Sequence, residues 1–159
     1  MGKLLFGEVV PIKGLDSVAD AFAGTVYSDI INFSLFHSIC FIIHKGVGAT
    51  GTSTITVEAC DDVSGSNVTA VPFWVQKYTG SDDLPGAAPL AVAAAGFATT
   101  AGSSQMYVIM VDNQVLAATG YKFVRLKAVE VANDPVLGGI LAIGMSPRYK
   151  DDIPQTAIA

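Results

Sequence analysis

Charged side chains are scarce in this sequence. Only 14% of its residues are charged while 51% are hydrophobic, whereas soluble domains average about 25% charged residues. A monomeric domain of this composition has too few charged side chains to keep its whole surface hydrated and to prevent association with other molecules. The composition therefore predicts a protein whose surface is partly covered by other subunits.

Basic clusters and signals for export or membrane insertion are also missing. The 9 basic residues are scattered among 14 acidic ones, which opposes nucleic-acid binding because phosphate contacts need clustered lysine and arginine. Glu8 and Pro11 interrupt the apolar start before the roughly 7–15 apolar residues of a signal peptide. The Ala-rich stretch Pro85–Ala98 contains a further proline and is shorter than the roughly 20 residues that span a bilayer. We expect no nucleic-acid partner and no membrane.

Cysteine and histidine number only two each. Cys40 and Cys60 form no Cys-x-x-Cys pair, so we expect free thiols that pack as small buried hydrophobes. On a strand, Cys40 and His44 face one way and His37 the other, so these three residues do not predict a metal site. The sequence also lacks a Gly-x-Ser-x-Gly elbow, and two histidines leave little for a Cys–His pair. We therefore expect no metal and no catalytic residues.

One phosphate-binding motif, Gly-x-Gly-x-x-Gly, is complete at residues 46–51. In a dinucleotide-binding fold this turn opens a helix whose N-terminal amides hold the pyrophosphate. A strand pattern follows here instead, over residues 52–57, so we interpret the motif as a hairpin loop and expect no cofactor. The aspartate pairs at 61–62, 82–83 and 151–152 lack the spacing of a calcium loop and are predicted to lie in solvated turns or tails.

The sequence is rich in strand patterns separated by turn residues. Thr54–Ala59 and Tyr121–Val131 alternate polar with apolar residues and predict half-buried antiparallel strands. Four more continuously apolar runs predict central strands or strands covered by a partner, namely Ser38–His44, Phe73–Tyr78, Met106–Val111 and Gly139–Ile143. With Asp29–Asn32 and a strand near the N-terminus, they indicate an all-β antiparallel sandwich of the jelly-roll type, which has about eight strands.

A single domain over residues 1–159 with an arm at each end accounts for the rest of the pattern. Residues 1–14 and 147–159 are predicted to be extended arms that stay loose unless they dock. Leu15–Ala23 has the signals of a short helical turn. Residues 84–104 have no period and predict an irregular sheet edge or a loop laid on a neighbour. Trp74 lies in an apolar run and is interpreted as core.

The order of these strands and turns resembles that of a known class of proteins. The segments that carry the resemblance are residues 55–65, 73–80, 105–109, 121–126 and 147–149. From Ile39 onward the chain resembles small structural proteins of tailed-phage virions, of the type that decorates or cements the capsid head. The resemblance implies a β-sandwich, symmetric oligomers and contact with a capsid shell, and it supplies no catalytic residues.

Composition and resemblance together predict a virion protein, made in the host cytoplasm, that is not an enzyme. Its expected partners are a major capsid protein and copies of itself, in a homotrimer where each arm becomes ordered on the next copy. The expected interface residues are Leu4, Leu5, Phe6, Tyr149, Ile153 and Ile158. The alternative is a jelly-roll binding module that recognises a glycan or a host surface, with Trp74 and tyrosines as platforms.

Overall fold

Twelve strands make up most of the computed structural model, which describes residues 8–47, 50–80 and 84–148. The strands are β1 Val9–Val18, β2 Thr25–Tyr27, β3 Ile31–Asn32, β4 Ser38–Lys45, β5 Thr52–Cys60, β6 Val68–Val71, β7 Phe73–Tyr78, β8 Leu90–Val92, β9 Phe97–Ala98, β10 Met106–Asp112, β11 Phe123–Ala132 and β12 Gly138–Met145. A 3-10 turn covers Phe33–Leu35, and one short helix, α1, covers Asn113–Ala117. In this described part, no helix has the length and apolar character needed to cross a bilayer.

The strands form two antiparallel sheets. Sheet A has the order β1-β12-β4-β10-β7-β8, and sheet B has the order β2-β11-β5-β6, with β3 also paired to β11 and β9 to β5. If β3, β7, β8 and β9 are left out, eight strands remain. When these are renumbered 1 to 8 along the chain, their order is 1-8-3-6 in sheet A and 2-7-4-5 in sheet B. This is the arrangement of a jelly roll, so the predicted fold class is confirmed. Strands β7 and β8 extend sheet A by two strands.

The core lies between the inner faces of the two sheets. Alternate residues of β4 and β10 point inward, and they include Phe41 and Tyr107, neither of which has exposed surface. The inner face of sheet B contributes Ile55, Val57 and Leu126, which are equally buried. Because side chains alternate along a strand, the residues between these point outward and define the outer faces of the sandwich.

Several segments differ from the sequence-based expectations. Part of the expected N-terminal arm is strand, because from Val9 onward the chain pairs with β12 and buries Ile12 in the core. The helical turn expected over Leu15–Ala23 is wrong, since β1 continues to Val18 and turns follow. The loop of residues 46–51 is no hairpin, because β4 and β5 lie in different sheets. Residues 84–104 form the predicted irregular edge, with β8 on sheet A and β9 on β5.

Lys45, the last residue of β4, is a buried cation. Its side chain Nζ donates hydrogen bonds to the carbonyl oxygens of Gly51, at 3.0 Å, and Thr100, at 2.9 Å. Burial lowers the pKa of Lys45 from its ordinary value. The side chain therefore ties the start of β5 to the segment after β9.

Substituting Lys45→Met is expected to lower the free energy of unfolding by about 1–3 kcal/mol, because two carbonyl groups lose their donor. Since the folded chain holds the Lys45 proton less tightly than the unfolded chain does, wild-type stability rises with pH as the unfolded pKa near 10.5 is approached. The difference from the variant is therefore expected to widen between pH 8 and 10 in urea titrations. A variant as stable as wild type at both pH values would contradict this role.

Candidate interaction surface on the outer face of sheet A

The outward-pointing side chains of sheet A are mostly apolar. The strand register places Leu141, Ile42 and Val108 side by side across β12, β4 and β10. The adjacent row of outward positions is also apolar and runs from β1 to β8 through Pro11, Ile143, Cys40, Met110, Trp74 and Ala91. We call this surface the sheet A face. It is continuous because the strands that carry it are hydrogen-bonded neighbours.

The sheet A face is accessible in the single chain. Trp74 is 53% exposed and Leu141 44% exposed, while Ile42, Val108 and Met110 are half-buried by their neighbours. With strands about 4.8 Å apart and outward residues about 6.6 Å apart along each strand, the nine positions of the sheet A face cover roughly 300 Å². That is within the range of the largest apolar patch on a typical monomer, roughly 300–600 Å².

Polar groups occupy the margins of the sheet A face. On the β1 side, Lys13 and Asp16 form an exposed ion pair at 3.5 Å. His44, paired with Met106, lies at one end of the strands, and Asp112, paired with Ser38, lies at the other. An apolar centre with a polar rim is the usual anatomy of a protein–protein interface.

The outer face of sheet B has the opposite character. Its charged groups satisfy one another, because the nearly buried Glu58 carboxylate accepts from Arg125 at 2.7 Å and lies 3.2 Å from Lys127 Nζ. The Arg125 guanidinium also stacks 4.0 Å from the ring centroid of Tyr27. Threonines alternate with inward apolar residues along β5, at positions 52, 54 and 56. Only sheet A therefore presents an outer surface suited to burial.

A groove opens at the end of the sandwich where β4 begins and β10 and β12 end. It has a volume of about 490 Å³ and is lined by the buried Phe33 and Leu116 together with the exposed Lys122 and Arg148. Helix α1 forms one side of it, and the Asp112 carboxylate caps that helix by accepting from the Gln114 N–H at 2.8 Å. We call this feature the α1 groove.

The α1 groove adjoins the rim of the sheet A face. The His37 N–H donates to the Met145 carbonyl at the end of β12, at 3.1 Å, and the Arg148 N–H donates to the Leu35 carbonyl at 2.9 Å. These bonds fix the edge of the groove to the last residue of β12, whose register partner on sheet A is Ser38. The two features therefore form one continuous region of the surface.

The residues singled out in the sequence fall in different places. The predicted interface residues Leu4, Leu5, Phe6, Tyr149, Ile153 and Ile158 lie outside the described residues. Assigning Trp74 to the core is wrong, because β7 turns Phe73 and Val75 inward and leaves the indole on the sheet A face. His44 and Cys40 do point outward together, while His37 precedes β4.

The other candidate sites hold no ligand geometry in the described ranges. Among residues 8–47, 50–80 and 84–148, no group of three or more His, Cys, Asp or Glu side chains is placed to hold a metal ion. Asp62 Oδ1 accepts from the N–H groups of Ser64 and Gly65, both at 2.9 Å, and hydrogen bonding by the Ser64 side chain lowers the Asp62 pKa. This carboxylate therefore stabilises an exposed turn, as predicted.

The two thiols are free and buried in opposite sheets. Burial raises the pKa of Cys40 and of Cys60 to about 11 in each case. We expect neither thiol to react with Ellman's reagent at pH 8 in the native protein and both to react once urea unfolds it, because the thiolate is the reactive form. Variants Cys40→Ala and Cys60→Ala assign any labelling to one position. Rapid native labelling of Cys60, which has no exposed surface, would contradict the prediction.

Sequence reasoning pointed to the strands that build the sheet A face but missed the α1 groove. The apolar runs expected to be covered on both sides are β4, β7, β10 and β12, which contribute most of the face. A signal for α1 was present, because Asp112 precedes the helix-favouring residues Gln114, Leu116 and Ala117 in an N-cap position. The groove itself is assembled from segments that are distant in sequence.

Comparisons with known proteins give a similarity at the level of solved structures. Neither a scan against protein-family models nor a search of curated proteins found a match. Among solved structures, the chain is similar to the crystal structure of SPBc2 prophage-derived protein YomS, at 14% sequence identity and a TM-score of 0.48. The similarity covers 87% of this chain and 94% of that one. Identity and TM-score are too low to transfer a function, partner or origin to this chain.

Proposed function

We propose that the protein is a structural, non-catalytic virion protein of a tailed phage, which decorates or cements the capsid through subunit–subunit contacts. The observation that carries the proposal is the sheet A face, an apolar surface with a polar rim opposite a polar outer face on sheet B. Such a one-sided molecule suits an assembly in which one face is buried. The jelly roll is also a fold of viral capsid domains, and the strand pattern resembles that of capsid-decorating proteins.

The proposed occupant of the sheet A face is a neighbouring copy of this chain. About 300 Å² from each copy gives roughly 600 Å² of buried surface, which is about half of the lower bound of roughly 1,200 Å² for a specific, stable interface. Contacts elsewhere on the molecule then add to the stability of the oligomer, for which we propose a homotrimer. The remaining exposed surface of the oligomer contacts a major capsid protein in the virion.

The oligomeric state tests the self-association. Size-exclusion chromatography with light scattering, across a hundredfold range of concentration, is expected to give a trimer that dissociates only on dilution. A monomer at every concentration would overturn the proposed contact. Electron microscopy of particles that carry a C-terminal label on this protein tests the location, and label on tails or in no fixed position would contradict a head-decorating role.

Glycan binding is the second candidate, and the exposure of Trp74 favours it. An exposed indole is a stacking platform for a sugar ring, and lectin domains include jelly rolls. However, the register neighbours of Trp74 are Met110 and Ala91, which offer no hydrogen bonds to sugar hydroxyls. A glycan array decides between the two, because binding that is lost in Trp74→Ala would favour the lectin function.

A further inference from the structure

The α1 groove combines a mixed apolar and polar lining with two exposed cations. Phe33 and Leu116 are 3% exposed and form apolar lining. Lys122 and Arg148 are exposed beside them, and neither forms an ion pair with another residue in the described ranges. Because Ser34, Asn113 and Gln114 also line the groove, it suits a polar segment that offers negative charge beside one apolar side chain.

Residues 149–159 of this chain have that chemistry. Asp151 and Asp152 are followed directly by Ile153. The two carboxylates complement Lys122 and Arg148, and the isoleucine side chain matches the apolar lining. Because the segment begins immediately after Arg148, its starting point at the edge of the groove is fixed by the Arg148–Leu35 hydrogen bond.

The position of the groove favours a segment donated by another copy. The groove adjoins the rim of the sheet A face, so a neighbour seated on that face lies next to the groove. Residues 149–159 reach up to roughly 40 Å when extended, which is enough to cross from one copy to the next. Each copy then donates one segment and receives another, a heterologous contact that closes into a ring.

We propose that the α1 groove binds residues 149–159 of a neighbouring copy, with Asp151 and Asp152 paired to Lys122 and Arg148 and Ile153 packed against Phe33 and Leu116. This inference rests on the proposed function, because it requires an oligomer. It adds a second interface of different chemistry, which weakens with ionic strength because exposed ion pairs are screened by salt.

Charge reversal tests the pairing. The double variant Lys122→Glu with Arg148→Glu is expected to raise the dissociation constant of the oligomer about tenfold or more at low salt. The reason is that attraction to Asp151 and Asp152 becomes repulsion. Combining it with Asp151→Lys and Asp152→Lys should restore the affinity. The matched control, Lys122→Arg with Arg148→Lys, keeps both charges and should leave affinity unchanged. Reversal without effect, or no rescue by the charge swap, would overturn the pairing.

Cysteine cross-linking tests whether the segment crosses between copies. Ala117→Cys places a thiol at an exposed position lining the groove, and Ile153→Cys places one on the segment. In an equal mixture of the two single variants, one of them tagged, we expect a disulfide between tagged and untagged chains. If no disulfide forms, or if one forms only within the single chain that carries both substitutions, exchange between copies is ruled out.

The failure of this inference is distinguishable from the failure of the proposed function. A wild-type protein that is monomeric at every concentration rejects both. A wild-type oligomer that shows neither the cross-link nor the charge-swap rescue rejects only the exchanged segment and leaves the sheet A contact in place.

Discussion

Replacing Leu141 with glutamate is expected to convert the oligomer into monomers. Leu141 lies beside Ile42 in the apolar centre of the sheet A face and is 44% exposed in the single chain. The new carboxylate therefore stays hydrated in the monomer but would be buried without a partner in the assembly. That penalty amounts to several kcal/mol, so the dissociation constant should rise at least about 1,000-fold. Light scattering after size exclusion measures the change.

A matched substitution on the other sheet separates this effect from a general loss of stability. Val131 of β11 is also an apolar strand residue and is 64% exposed, so Val131→Glu introduces the same charge on sheet B. We expect this control to remain oligomeric and both variants to melt close to the wild-type temperature as judged by circular dichroism. If Leu141→Glu and Val131→Glu assemble equally well, the sheet A face is not the subunit contact.

Replacing Glu58 with alanine is expected to give the largest loss of stability among the charged residues. The Glu58 side chain is 7% exposed and neutralises both Arg125 and Lys127 on the outer face of sheet B. Removing one partner of a buried ion pair leaves the others with uncompensated charge and costs about 3–5 kcal/mol. Urea unfolding at a fixed protein concentration measures this loss.

The Lys13–Asp16 pair provides the comparison for Glu58. Both side chains are 79% exposed, and exposed ion pairs contribute about 0–1 kcal/mol. Asp16→Ala should therefore shift the urea midpoint only slightly. If it destabilises the protein as much as Glu58→Ala does, burial is not what makes the Glu58 cluster stabilising.

Local patterns were enough to predict the strands and the class of fold. The period-two alternation of β5 and β11 and the apolar runs of β4 and β10 follow directly from which faces are buried. A run that is apolar on both faces does not reveal which residues point inward, so Trp74 was assigned to the wrong side. Which residues of β7 point inward is decided by the pairing of β7 with β10, and this pairing is a property of the tertiary structure.

Non-local pairing explains the remaining differences. Residues 9–14 were predicted as an arm because their partner strand, β12, lies at the other end of the described chain. The α1 groove was invisible to sequence patterns because it draws Phe33, Leu116, Lys122 and Arg148 from separate segments. Helix α1 is also too short for a helical period to be recognised.

The pairing of β1 with β12 also has a kinetic consequence. Because these strands come from opposite ends of the described chain, their contact requires closure of nearly the whole polypeptide, and such topologies fold over milliseconds to seconds. We therefore expect β1 to join the sheet last. Until it does, β12 is an unpaired edge of sheet A, and the sheet A face lacks the residues that β1 contributes. Newly made chains would then become competent to associate only after their final strands have been synthesised, which orders assembly after translation.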